Sequence, residues 1–173
     1  MSKILTAYFS RAGENYFGGQ IRPVQIGNTE IAVHFIKDLV STDVYKMEMA
    51  QPYPYNYKEC IDKAKADLHA NARPKIVNPP ADIDGYDTVI LAYPNYWGTM
   101  PAAVFTFLEM YDFSGKTILP LCTNEGSGMG TSAGDIKKSC PGATVKTGLS
   151  ISGSKVSESK PDIEKWLKHE NII

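Results

Sequence analysis

Short apolar runs alternate along this chain with segments of helical periodicity, and that alternation restricts the fold more than any other feature. Ile4-Leu5-Thr6-Ala7-Tyr8-Phe9, Thr88-Val89-Ile90-Leu91-Ala92-Tyr93 and Thr117-Ile118-Leu119-Pro120-Leu121-Cys122 each read as a buried strand. Val44 to Met49 alternates polar and apolar residues, as an edge strand does, and Thr144 to Ile151 supplies the final strand. Between them, Ile31, Phe35, Ile36, Leu39 and Val40 recur at helical spacing behind a cap at Asn28 or Thr29. So do Tyr57, Cys60, Ile61, Ala64 and Leu68. Pro101 to Met110 forms a helix with proline in its first turn, Ser132 to Ser139 a shorter one, and Ile163, Trp166 and Leu167 mark the last.

Five strands alternating with five helices require crossover connections, hence a parallel sheet covered on both faces. Right-handed crossovers make it doubly wound, in the order 2-1-3-4-5, with a crevice at the carboxyl ends of strands one and three. With 173 residues, a single domain spanning 1–173 is expected.

The three buried strands each end in a loop too polar and too small to be core. Ser10-Arg11-Ala12-Gly13 and, after an interruption, Gly27-Asn28-Thr29 follow the first. Hydroxyls of Ser10 and Thr29, with backbone N–H groups of Ala12 and Asn28, suit a phosphate at a helix N-terminus, and Arg11 offers a cation beside them. An ordinary capped turn is the competing interpretation of this loop taken alone. Pro94-Asn95-Tyr96-Trp97-Gly98-Thr99 sets two aromatics side by side outside any strand or helix period, which a planar ligand would explain. Thr123-Asn124-Glu125-Gly126-Ser127-Gly128-Met129-Gly130 can follow the polar edge of a ligand or act as a flexible connector.

Together, Tyr8-Phe9-Ser10-Arg11-Ala12-Gly13, Gly27-Asn28-Thr29, Pro94-Asn95-Tyr96-Trp97-Gly98 and Glu125-Gly126-Ser127-Gly128 resemble the flavodoxin family. The resemblance implies bound FMN. It places the phosphate on the first loop, the isoalloxazine ring against Tyr96 and Trp97, and the pyrimidine edge near Pro94, Asn95, Gly98, Thr123, Asn124, Gly126, Ser127 and Gly128. It also implies that the Trp97–Gly98 peptide meets the flavin N5 position. A second phosphate signature is missing, which favours the mononucleotide over the dinucleotide.

Two features depart from the family pattern. Glu14 to Ile26 interrupt the phosphate loop with Tyr16, Phe17, Ile21, Val24 and Ile26, a segment suited to cover the ribityl chain or to meet another subunit. The net charge is −1, without the strong acidity by which electron-shuttling flavodoxins steer toward basic partners. The leading expectation is an FMN redox protein that passes electrons to a partner protein through a non-covalent flavin. The alternative is an NAD(P)H-dependent quinone or nitro-compound reductase, with Tyr53, Tyr55 and Tyr57 either lining an acceptor pocket or facing solvent.

The near-zero charge argues against nucleic acid as a partner, and no run of about 20 apolar residues argues for a membrane span. Three cysteines without paired spacing suit a reducing compartment, so a cytoplasmic location is expected. His34, His69 and His169 are far apart in sequence, which argues against a metal centre, and Cys60 and Cys122 lack a histidine that would make either a nucleophile.

Overall fold

The computed structural model describes residues 2–173. Its strands are β1 (Ile4–Tyr8), β2 (Gly13–Phe17), β3 (Gln20–Val24), β4 (Asp43–Lys46), β5 (Thr88–Pro94), β6 (Thr117–Asn124), β7 (Thr144–Val145) and β8 (Leu149–Ser152). The helices are α1 (Asn28–Leu39), α2 (Tyr57–His69), α3 (Ala102–Met110), α4 (Ser132–Ser139) and α5 (Lys160–His169), with a 3-10 segment over Gly153–Glu158. The main sheet is parallel, in the order β4-β1-β5-β6, with β7 and β8 side by side along the far edge of β6. That is the doubly wound order expected, with its last strand in two pieces.

Alternation along the central strands divides the core between the two faces. Leu5, Ala7, Val89, Leu91, Tyr93 and Ile118 pack on one side with Cys60 and Ala64 of α2, Phe107 of α3 and Ile136 of α4. Ile4, Tyr8, Ile90, Ala92, Leu119 and Leu121 pack on the other with Val33 and Ile36 of α1 and Trp166 and Leu167 of α5.

The break in the fifth strand departs from the expected continuous strand over 144–151, and it has a cause in β6. Thr117 N–H donates toward β5 at Asp87, whereas Ile118 C=O accepts from Lys146 on the opposite side. By the same alternation Pro120 faces the fifth strand, where it has no N–H to give. Val145 to Leu149 accordingly covers one position more than Ile118 to Leu121, a bulge at the site of the missing donor.

Four further expectations are corrected. The second sheet position is Asp43–Lys46 rather than 44–49, because past Lys46 the chain leaves the ladder and Met49 bridges Ile76 instead. The first helix is capped at Gly27, not at Asn28 or Thr29, and Pro101 is the N-cap residue of α3 rather than part of its first turn. The 14–26 interruption is not a loop but the antiparallel hairpin β2–β3. Its turn residues Gly18 and Gly19 have φ of 61° and 90°, a two-residue connection with both central residues left-handed.

Candidate functional site

At the carboxyl edge of β1, β5 and β6 lies a cavity of about 430 Å³, within the range usual for small-ligand sites. All three polar loops reach it. Ser10, Arg11, Asn28 and Thr29 line it from the first; Pro94, Asn95, Tyr96, Trp97 and Gly98 from the second; Thr123, Asn124 and Ser127 from the third. Ala12 does not: it borders a second cleft of about 900 Å³ on the other side of Ser10 and Arg11. Gly126 and Gly128 shape their loop without lining the cavity.

The wall at α1 is built from the chain's need to finish a helix. Gly27 has no side chain with which to cap, so Ser10 Oγ accepts the Glu30 N–H at 3.2 Å. The N–H groups of Asn28 and Thr29, in the same first turn, have no intrahelical acceptor and remain available to an anion. The Thr29 hydroxyl has a partner within the protein. It lies 2.8 Å from that of Thr123, tying the first loop to the third inside the core.

Arg11, expected as a cation beside the phosphate, lines the cavity but is engaged within the protein. Its guanidinium donates to the carbonyls of Glu14, Pro54 (2.7 Å) and Tyr55 (2.6 Å), fastening the hairpin to the segment before α2. Glu14 adds to this clamp, its Oε2 accepting the Tyr57 N–H at 2.9 Å. The hairpin thereby brings Asn15 and Tyr16 to the cavity wall, with the Tyr16 ring 6.5 Å from that of Tyr57.

The second loop turns tightly. Tyr96 and Thr99 exchange backbone hydrogen bonds at 2.8 and 3.2 Å, and Trp97 and Gly98 between them have φ of 55° and 85°. A left-handed tryptophan costs about 1–2 kcal/mol. Its indole Nε1–H donates to the Ile61 carbonyl at 2.9 Å, and Lys65 Nζ sits 4.8 Å from the ring centroid. Trp97 remains half-exposed at the cavity rim, whereas Tyr96 turns inward. Tyr96 meets Phe9 edge-on at 5.8 Å and Tyr53 at 6.2 Å, so the two aromatics do not form one stacking surface. Asn95 joins this loop to the third: its Oδ1 accepts Gly98 N–H at 2.9 Å and its Nδ2 donates to Gly128 C=O at 2.8 Å.

In the third loop Asn124 acts as an internal scaffold, its Oδ1 accepting from the Gly126 and Gly128 N–H groups, both at 3.0 Å. Two other side chains lining the cavity have buried oxygens without a partner, Asn28 Oδ1 and Glu125 Oε1. Burial pushes the Tyr96 phenol well up and raises the Cys60 thiol, so both cavity-lining groups stay protonated at neutral pH. Cys122, on β6, is pushed up to about 12 for the same reason. Of the three tyrosines expected either to line a pocket or to face solvent, Tyr57 lines the cavity and Tyr55 is exposed, whereas Tyr53 is buried and donates to Asp67 at 2.9 Å.

Tyr16 lines the cavity, as one of the residues of the 14–26 segment expected over the ligand, whereas Asn15, Cys60, Ile61, Ala64, Glu125 and Gly153 line it without having been assigned to it from the sequence. Asn15 and Glu125 stand in segments already singled out, the interruption over 14–26 and the third loop; the other four do not.

An uncommitted helix N-terminus, a mixed polar and aromatic slot and two unpaired acceptors are what a phosphorylated, hydroxylated, planar ligand requires. The family profile for flavodoxins matches residues 3–170, and the chain belongs to the flavodoxin family. FMN is accordingly its cofactor, and the residues at the cavity fit it. Among solved structures, a candidate flavoprotein from Bacteroides eggerthii superposes with a TM-score of 0.80 at 28% identity, covering 100% of both chains. One from Bacteroides uniformis gives 0.75 at 22% identity over 96% of this chain and 98% of the other. A Lactobacillus acidophilus flavoprotein solved in complex with FMN gives 0.62 at 15% identity over 91% and 98%. No curated protein matches the chain.

Proposed function

We propose that this chain is a redox protein that passes electrons through a non-covalently bound FMN. What carries the reading is the convergence of three loops on one cavity that joins free helix N–H groups to aromatic and amide side chains. In this reading the Asn28 and Thr29 N–H groups hold the phosphate. Trp97 and the Trp97–Gly98 peptide border the ring, and Asn95 fixes that peptide by holding the Gly98 N–H. The flavin supplies reversible electron transfer; the protein binds, orients and tunes it. The neighbouring thiol and phenols, held protonated by burial, supply no nucleophile.

A second reading, an NAD(P)H-dependent reductase of quinones or nitro compounds, is favoured by the net charge of −1 and by the lack of any aromatic in Thr123 to Gly130. The first removes a steering field for a protein partner. The second leaves that side of the slot uncovered for a small acceptor.

Adding FMN to the purified protein and following anaerobic photoreduction with and without NAD(P)H decides between them. Tight binding with two resolved one-electron steps and no reaction with NAD(P)H supports the carrier. Rapid bleaching by NAD(P)H in a single two-electron step supports the reductase, and no binding of FMN overturns both. No helix among the described residues is long and apolar enough to cross a membrane.

A further inference from the structure

The two side chains that carry unpaired acceptors both pack against one glycine. A Cβ built on Gly153 would lie 2.4 Å from Asn28 Nδ2 and 2.8 Å from Glu125 Oε1, so the backbone entering the 3-10 segment presses on both side chains. Asn28 Oδ1 and Glu125 Oε1 have no protein donor there, and all three residues line the cavity. Leaving a buried acceptor unpaired costs about 1–3 kcal/mol, and more when it is charged. The missing partner is therefore a donor brought by the ligand.

The chemistry of that donor is restricted. A phosphate ester offers mainly acceptor oxygens, so it gains nothing from an amide oxygen and is repelled by a carboxylate. Hydroxyl groups donate to both. Asn28 belongs to the helix turn whose N–H groups suit the phosphate, and Glu125 to the loop after β6. The pair thus joins the anion end of the cavity to the third loop, and the part of FMN adjoining its phosphate is the polyhydroxylated ribityl linker.

We infer that Asn28 and Glu125 form a hydroxyl-reading pair, accepting hydrogen bonds from the ribityl linker and making the site selective for flavins with a hydroxylated linker. Gly153 is required because any side chain there would displace both side chains. This inference rests on the FMN reading above.

Fluorescence titration of the full apo chain with FMN, and with an FMN analogue whose ribityl hydroxyls are all replaced by hydrogen, tests it. Both probes carry the phosphate and the ring. Wild type is expected to prefer FMN by roughly 10- to 100-fold, the range for hydrogen bonds to a charged group. Glu125→Ala and Asn28→Ala should each lose most of that preference by weakening FMN alone, and Glu125→Gln, which keeps an acceptor oxygen, should retain part of it. Gly153→Ala should weaken FMN and leave the analogue near its wild-type affinity. Equal affinity of wild type for the two flavins overturns the inference. So does an equal loss for both in Glu125→Ala, which would place the carboxylate against a ring N–H instead. Failure of wild type to bind either flavin overturns the FMN reading itself, an outcome distinct from binding without discrimination.

Discussion

Ser10 Oγ accepts the backbone N–H of Glu30 at 3.2 Å, so the residue that opens the loop after β1 also caps α1 across the whole intervening hairpin. Gly27 makes the contact possible. A Cβ there would lie 2.2 Å from Ser10 Oγ and 2.7 Å from the Arg11 carbonyl. One hydroxyl thus fixes where the loop crosses the helix N-terminus, and hence where the free Asn28 and Thr29 N–H groups are presented.

Ser10→Ala should lower the stability of the apo protein by about 1 kcal/mol, as loss of a helix cap does. For a chain of this size that is roughly 2–4 °C in Tm. Gly27→Ala should do more, because the overlap is with backbone as well as with a hydroxyl. Both variants are expected to weaken FMN more than riboflavin, since the disturbed groups serve the phosphate. Titration with the two flavins checks this, and parallel losses for both would place the phosphate elsewhere.

Gly98 has φ of 85° and open space where a Cβ would stand, so Gly98→Ala tests backbone conformation free of any clash. The left-handed cost for alanine is about 1 kcal/mol. Thermal melting of the apo protein should register it as a loss of a few degrees. With FMN bound, the same substitution should shift the flavin's midpoint potentials, measured by anaerobic dye equilibration. Potentials identical to wild type would argue against contact between this peptide and the ring.

Strand and helix order was legible because the buried strands are continuous apolar runs, and the loops that break them are abruptly polar. The hairpin was not read, although Gly18-Gly19 between Phe17 and Gln20 is a turn signal; Pro23 speaks against a strand and is tolerated because β3 pairs on one side only. Pro120 carried the reason for the split fifth strand, but only the hydrogen-bond direction on β6 shows which neighbour it fails. At the cavity, residue type did not disclose orientation: Tyr96 and Trp97 are adjacent, yet the turn sends one inward and one to the rim. Gly153 and Cys60 lie in elements with no loop signature, and only tertiary packing brings them to the site.

Tyr86 donates to Asp43 Oδ2 at 2.7 Å, and the pair should make stability pH-dependent at both extremes. That hydrogen bond pushes the Tyr86 phenol up to about 12 and holds the Asp43 carboxyl below its usual value. Because the phenol's folded pKa is raised, its contribution is complete below about 10 and lost as pH rises toward 12. For the carboxyl, depressed in the folded state, the contribution is present above the unfolded value and lost as pH falls through the folded one. Tyr86→Phe should therefore melt below wild type at neutral pH. The difference should shrink in strong acid and again above pH 10. A constant difference across the whole range would mean that the bond contributes through packing alone.

Two roles for Arg11 are experimentally separable. A cation near the phosphate loop invites the assumption that it binds phosphate, but its guanidinium spends its donors on the carbonyls of Glu14, Pro54 and Tyr55. Lysine, a point donor on a flexible stem, cannot span that fork. Arg11→Lys should therefore behave nearly as Arg11→Ala does: the hairpin loosens, Asn15 and Tyr16 leave the cavity wall, and flavin dissociates faster. Because the hairpin wall meets the ligand irrespective of its phosphate, FMN and riboflavin should lose affinity by similar factors. A phosphate contact would give the opposite pattern, with FMN alone affected, Arg11→Lys close to wild type and the loss relieved by high salt. Stopped-flow dissociation of both flavins from the two variants, at low and high ionic strength, distinguishes the clamp from the ion pair.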